Sequence, residues 1–118
     1  MTLLHIIDRD EWRRATELGR PHVAPGQDEL GFMHLSTAEL VLIPANSFYA
    51  GRHDLVLLVI DESQLGPELV WEEGVPPVGD TVFPHLYAPL ALDAVVDVVD
   101  FPCGADGTFR LPSSLPSS

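Results

Sequence analysis

The longest apolar run in the chain, residues 55–60, limits the folds that are open to it. Leu, Val, Leu, Leu, Val and Ile follow one another there, and Asp54 and Asp61 bound them. Successive side chains of a strand point to opposite faces of its sheet, so a strand of this composition is buried on both faces. The run is too short to cross a bilayer as a helix. The sequence therefore predicts a sheet with this strand at its centre.

Helix signals precede this strand. Residues 3–7 are apolar enough for a first strand, and Asp8 follows as an N-cap with Glu11 three positions on as its capping-box partner. Gly19 is a natural C-cap for the resulting helix. Residues 20–30 contain prolines, a glycine and charges, which predict a surface loop.

A second strand and an interrupted helix are predicted next. Residues 32–35 have the composition of a strand, and Ser36 and Thr37 can cap a following helix, with Glu39 completing a second capping box from Ser36. Pro44 is unfavourable in a helix interior by about 3 kcal/mol, so we expect the helix to break there, with Pro44 as the first residue of a new turn. Residues 45–49 then form a short helical piece.

Strands dominate the rest of the chain. Residues 69–72 and 92–101 read as strands, separated by a proline-rich loop at 74–79. Glycine, proline and serine prevail from position 103, which predicts one domain over residues 1–102 and a disordered tail over 103–118. Helices come early and strands late, so the predicted class is α+β.

The charge of the chain excludes several functions. Eighteen acidic residues face six arginines and no lysine, for a formal net charge of −12. Such a chain repels nucleic acid and anionic membranes, and it can build neither a lysine Schiff base nor a P-loop. Cys103 is the single cysteine, and no export signal is visible near Met1, so a cytoplasmic location is predicted.

Two short histidine segments are the best candidates for a functional site. They are FMHLST at 32–37 and FPHLY at 83–87, and each sets an imidazole, His34 or His85, among apolar residues beside hydroxyl groups. Histidine titrates near neutral pH and can donate, accept or bind metal, so the similar settings suggest one cleft. Two core histidines bonded to backbone carbonyls remain the alternative.

Other chemistry is less well supported. The five histidines show no metal-binding spacing, so no metal is expected unless His34, His85 and Glu72 converge in space. No nucleophile elbow surrounds Ser36 or Thr37, which favours a helix cap whose free amides could hold a phosphate. Residues 71–73, Trp-Glu-Glu, offer either a binding surface or a core tryptophan beside solvated acids.

From about residue 3 to residue 101 the chain resembles the small bacterial family known as domain of unknown function 952. The resemblance lies in GFMHLST (31–37), ANSFYAG (45–51), LVLLVID (55–61), Trp71-Glu72 and, most specifically, FPHLYAPL (83–90). Ala88, where glycine is usual, and Pro44 depart from the family pattern.

The resemblance implies a fold and a ligand. The family is grouped with the ADP-ribosyltransferases, in which two small, mainly antiparallel sheets with short flanking helices form a cleft for NAD. His34 and His85 would then be catalytic. The residues expected to bind NAD or ADP-ribose are His5, Ser36, Thr37, Trp71, Glu72 and Tyr87.

The chain departs from active transferases at one position. Their late-strand glutamate, which stabilises the oxocarbenium-like transition state, corresponds to the region of His85, and the nearest acids are Glu72, Glu73 and Asp80. Related RNA phosphotransferases lack that glutamate but rely on a basic cluster, which is absent here. Three functions therefore stay open: an NAD- or ADP-ribose-directed enzyme that transfers ADP-ribose or cleaves NAD, a non-catalytic binding module for a small ligand or protein, and a metal-assisted hydrolase.

Overall fold

Two three-stranded antiparallel sheets and three short helices make up the part of the chain that the computed structural model describes, residues 2–115. The strands are β1 (Thr2–Asp8), β2 (Met33–His34), β3 (Leu55–Asp61), β4 (Leu69–Glu73), β5 (Val82–Leu86) and β6 (Val95–Asp100), and the helices are α1 (Arg9–Leu18), α2 (Gln27–Leu30) and α3 (Leu42–Phe48). The predicted α+β class, with two small antiparallel sheets, is confirmed.

The first sheet has the order β1-β3-β6, so β3 is its central strand, as its composition predicts. Every residue from Leu55 to Ile60 is at most 2% exposed. Leu55, Leu57 and Val59 point into one core, and the alternating residues point into another. A single strand therefore anchors two hydrophobic cores on opposite faces of one sheet.

The two cores are covered by different parts of the chain. On one face of the first sheet, Ala45 of α3 packs with Phe101 and Phe109. On the other face, Met33 of β2 and Leu86 of β5 pack against the sheet. The second sheet, with the order β2-β5-β4, therefore lies over the first and buries its own apolar face against it.

A backbone link outside the named strands joins the two sheets. Leu4 of β1 and Ser36, which lies just past β2, exchange two N–H···O bonds of 2.7 and 2.8 Å. In the second sheet His34 pairs with His85. The link and this pairing bring β1, β2 and β5, three segments distant in sequence, side by side.

The Asp8 N-cap and the Gly19 C-cap of α1 agree with the sequence prediction, whereas the predicted capping-box bond to the Glu11 side chain does not form among the described residues. The carboxylate of Asp8 accepts hydrogen bonds from the backbone N–H groups of Asp10 and Glu11, and Gly19 ends the helix at φ +66°. A cap of this kind contributes about 1 kcal/mol. Ala15 is the buried residue of the helix.

Two local predictions are wrong. Ser36 and Thr37 do not cap a helix, because α3 begins only at Leu42 and has no side-chain cap. Pro44 lies in the first turn of α3, where a backbone N–H has no helical partner, so a helical piece does start near Pro44, although it begins two residues earlier, at Leu42. The predicted loop at 20–30 contains α2, whose Gln27 is buried and bonds to backbone groups at both ends of its amide.

The segment after Phe101, for which the sequence predicts a disordered tail, is packed as far as residue 115; residues 116–118 lie outside the described residues. Phe109 is 3% exposed and stacks on Phe101, with ring centroids 4.7 Å apart. The side-chain oxygen of Asn46 accepts the N–H of Phe109 at 2.7 Å. Buried Cys103, the partly buried Leu115 and a backbone bond from the N–H of Gly51 to the carbonyl of Gly107 also hold the segment, and composition does not reveal these contacts. Within residues 2–115, no helix is long and apolar enough to span a membrane.

Phe109→Ala tests this packing. We expect a loss of about 3 kcal/mol in the free energy of unfolding, because the substitution opens a cavity in the first core. Urea unfolding of the purified protein measures it, and Leu111→Ala is the matched control, since Leu111 is 45% exposed. Equal stability of the two variants would show that the segment does not pack.

Candidate functional site

A cavity of about 630 Å³ lies where the two sheets, α1 and α3 meet. Its wall includes His5, His34, Ser36 and His85 from the strands and their ends, and Tyr49 and Arg52 from the chain after α3. The volume is within the range of small-molecule sites in proteins. Sequence reasoning placed four of these six residues in one site, and the structure brings those four together.

His34 and His85 are cross-strand partners and project from the same face of the second sheet. Their ring centroids are 5.5 Å apart and their planes are nearly perpendicular, at 89°. His85 is 1% exposed, whereas His34 reaches solvent. Partial desolvation, with a smaller effect of His85, lowers the pKa of His34.

The carboxylate of Glu72 sets the protonation pattern of His85. Nδ1 of His85 lies 2.8 Å from Oε1 of Glu72. A carboxylate can only accept, so Nδ1 carries the hydrogen, and Nε2 of the neutral ring is left as an acceptor. The Tyr87 hydroxyl donates to the same oxygen. The hydrogen bonds from Tyr87 and His85 lower the pKa of Glu72, and the bond to Glu72 raises the pKa of Tyr87.

Phe32 holds the ring plane of His85, and sequence reasoning did not single it out. The two rings are stacked, with centroids 4.0 Å apart and planes 15° from parallel. Phe32 also meets the ring of His34 edge-on at 5.0 Å. The sequence could have predicted this contact, because Phe32 lies two residues before His34 and alternate residues of a strand share a face.

His5 is the third imidazole of the cavity wall. Its Nδ1 lies 2.8 Å from the backbone carbonyl oxygen of His34, and a carbonyl can only accept, so Nδ1 carries the hydrogen and Nε2 has a free lone pair. The residue is 8% exposed. Burial is the main reason that the pKa of His5 is lowered to about 4. His5 is thus a neutral hydrogen-bond acceptor at physiological pH.

The only arginine in the wall of the described cavity is already paired. Arg52 bonds to Asp8 at 3.0 Å and to Asp54 at 2.7 Å. The bond from Arg52 is the main cause that lowers the pKa of Asp54 to about 2. Glu11 also lines the wall, and burial followed by the nearby Asp8 raises its pKa. This end of the cavity therefore carries more negative than positive charge.

Four predicted site residues do not line the cavity: Thr37, Trp71, Glu72 and Tyr87. Glu72 and Tyr87 act behind His85 and reach the cavity through it. Trp71 is 40% exposed and, as the neighbour of Glu72 on a strand, projects from the other face of the sheet. The carbonyl of Thr37 accepts the N–H groups of Leu40 and Val41 in the turn before α3.

His, Cys, Asp and Glu side chains do not gather in a group of three or more with metal-binding geometry anywhere in residues 2–115. His85 contacts both His34 and Glu72, but Glu72 bonds to Nδ1 of His85 from β4, on the opposite side of β5 from the strand that carries His34.

Comparisons with known proteins agree on the family and the fold. The family model described as "Protein of unknown function (DUF952)" matches residues 6–98. The crystal structure of protein CC0527 from Caulobacter crescentus is similar at 35% identity, covering 94% of this chain and 95% of that one, with a TM-score of 0.81. Its solution NMR structure is similar at 34% identity, covering 97% and 96%, with a TM-score of 0.81. No curated protein matches the sequence.

The buried histidines make the stability of the fold depend on pH. Burial lowers the pKa of His5 to about 4 in the folded chain, against about 6.5 when unfolded. The unfolded chain therefore binds more protons between these values. The contribution of neutral His5 to the free energy of unfolding is fully present above about pH 6.5 and is lost as the pH drops towards 4. One group contributes about 1.4 kcal/mol per pH unit over this window. Burial of His22, whose Nε2 has no partner within the described residues, acts in the same direction.

His5→Asn should reduce this pH dependence, since an asparagine N–H can still bond the His34 carbonyl but does not titrate. The free energy of unfolding in urea at about pH 7 and about pH 5 measures the difference. His53→Asn is the control, because His53 is exposed. An unchanged slope in the His5 variant would contradict the assignment.

Glu72→Ala should change the tautomer of His85. Without the carboxylate nothing holds the hydrogen on Nδ1, so the Nε2–H form gains population. Nitrogen-15 NMR of the imidazole distinguishes the two forms, and Glu73→Ala removes a neighbouring acid that does not contact the ring. Identical His85 spectra in both variants would rule out the proposed role of Glu72.

Proposed function

The chain belongs to the DUF952 family, and we propose that its cavity binds a small nucleotide-type ligand of the NAD or ADP-ribose class against His34 and His85. One observation carries the proposal. Four predicted site residues, His5 and Ser36 from the resemblance to ADP-ribosyltransferases and His34 and His85 from the two histidine motifs, come from three segments distant in sequence and line one cavity.

The chemistry of the wall supports such a ligand. Ribose hydroxyls can donate hydrogen bonds. The free Nε2 of His5 carries no hydrogen, so it can only accept, and it matches such a donor. Flat aromatic rings such as adenine or nicotinamide can pack on the side chains of Phe48 and Tyr49, which also line the cavity. The Ser36 hydroxyl can donate or accept beside the bridge to β1.

His85 is the acid–base group of the proposed reaction. In ADP-ribosyl transfer or NAD cleavage, the bond between the ribose carbon and the nicotinamide nitrogen breaks, and its electrons stay with the nicotinamide. An acceptor hydroxyl or water bonds to that carbon and gives its proton to Nε2 of His85. Glu72 stabilises the resulting imidazolium through Nδ1–H, in the way that a carboxylate supports a catalytic histidine.

A non-catalytic binding module is the second candidate, and a specific observation favours it. The carboxylates of the cavity wall, Asp8 and Glu11, come from the start of α1, and Glu72 is engaged behind His85. No late-strand carboxylate of the described chain therefore faces the position where an oxocarbenium charge would develop. Arg52, paired with two aspartates, also offers little charge to a pyrophosphate.

Binding of NAD should raise the melting temperature. At a tenfold excess over the dissociation constant we expect a rise of about 5 °C. His34→Ala and His85→Asn should abolish it; the second variant retains an N–H for Glu72 but loses Nε2 together with the ring that stacks on Phe32. His53→Ala is the control. No rise with millimolar NAD or ADP-ribose contradicts the proposal, and binding without release of nicotinamide selects the non-catalytic module.

A further inference from the structure

Strand β4 leaves one edge of the second sheet open. It pairs with β5 alone, and the pattern of hydrogen bonds shows which groups are unused. The N–H of Tyr87 donates to the carbonyl of Glu68, and the carbonyl of Pro84 points away from β4 to the N–H of Leu35. Pairs of an antiparallel ladder alternate between bonded and non-bonded. Trp71 is opposite Pro84, so it belongs to a non-bonded pair, and Glu73 lies two residues further along β4. The backbone N–H and C=O groups of both residues therefore point outward, away from β5.

The other strand edges of residues 2–115 are protected. Ser36 pairs with the outer edge of β1. Strand β6 has a bulge at Val96, where the register with β3 shifts. Strand β2 has two residues. Strand β4 has a continuous register of five pairs and no proline. Proteins usually blunt such an edge, because it is a template for an added strand.

Apolar side chains surround this open edge. Val70 is 37% exposed, Trp71 40%, Val82 47% and Tyr87 42%. Two of them, Trp71 and Tyr87, are amphipathic aromatics of the kind that is enriched where proteins bind one another. The edge thus offers backbone partners and an apolar surface together.

The charge around the edge selects the partner. The chain has no arginine or lysine between Arg52 and Arg110. The acids on β4 and directly before it are Glu68, Glu72 and Glu73, of which Glu72 is held by His85 and Tyr87. Glu68 and Glu73 form no ion pair with any described residue. A second copy of this chain would bring like charges together, whereas a cationic segment would be attracted.

We propose that the edge of β4 binds an extended segment of a partner protein in which arginine or lysine alternates with apolar residues, as an additional strand of the second sheet. The backbone of the partner pairs with Trp71 and Glu73. Its apolar side chains cover Trp71 on one face, and its cations meet the surrounding acids. This interaction is independent of the ligand in the cavity.

Amide hydrogen exchange of the unaltered protein is the direct test. The probe is a peptide of about eight residues, typical of a strand, that alternates arginine and valine and has blocked ends. Exchange should slow at the amides of Trp71 and Glu73, and it should not change at Val70 and Glu72, whose amides already pair with β5. A peptide that alternates glutamate and valine should have no effect.

Two variants of Trp71 separate the contribution of its backbone N–H to peptide binding from that of its side chain. Trp71→Pro removes the outward N–H without breaking the ladder, and Trp71→Val removes the indole alone. We expect the proline variant to bind the arginine peptide at least about tenfold more weakly than the valine variant. The exchange pattern decides the question if the proline variant does not fold. The proposal would be overturned if amide exchange in β4 did not slow at millimolar peptide, or if it slowed in β6 instead. An equal effect of the glutamate peptide, or slowing that depends on protein concentration alone, would also overturn it.

Discussion

The burial of β3 on both faces is the constraint on which the rest of the structure depends. Its six apolar residues cannot reach water without a large loss of hydrophobic stabilisation, so the chain must cover two faces at once. Helix α3 and Phe109 cover one face, and the second sheet covers the other. The cavity exists because these covering layers meet at their edges and do not close completely.

The candidate site is held by backbone geometry more than by side-chain packing. The bridge between Leu4 and Ser36 fixes β1 against the end of β2, and the pairing of β2 with β5 sets His34 beside His85. Carbonyl and carboxylate acceptors then decide where the imidazole hydrogens lie. In both His5 and His85 the hydrogen therefore lies on Nδ1, and His5, whose pKa is lowered by burial, presents a neutral Nε2 lone pair.

The electrostatics divide the molecule into two working surfaces. Within the cavity, the only arginine of the described wall is held by two aspartates, Asp8 and Asp54, and the imidazole of His5 stays neutral, so the wall offers little positive charge. Outside it, Glu68 and Glu73 at the edge of β4 form no ion pair with any described residue. A hydroxyl-rich ligand suits the first surface and a cationic polypeptide suits the second. The Tyr87–Glu72–His85 chain of hydrogen bonds runs from one surface to the other.

Local patterns in the sequence were sufficient for the central strand, the Asp8 and Gly19 caps of α1 and the α+β class, because each depends on neighbouring residues and their burial or backbone conformation. The two histidine motifs also identified the cavity. Tertiary structure alone decided that Glu72 lies behind His85, that the segment with Phe109 packs, and that Ser36 joins a strand and caps no helix. Those outcomes depend on contacts between residues far apart in the chain, and no local periodicity encodes such contacts.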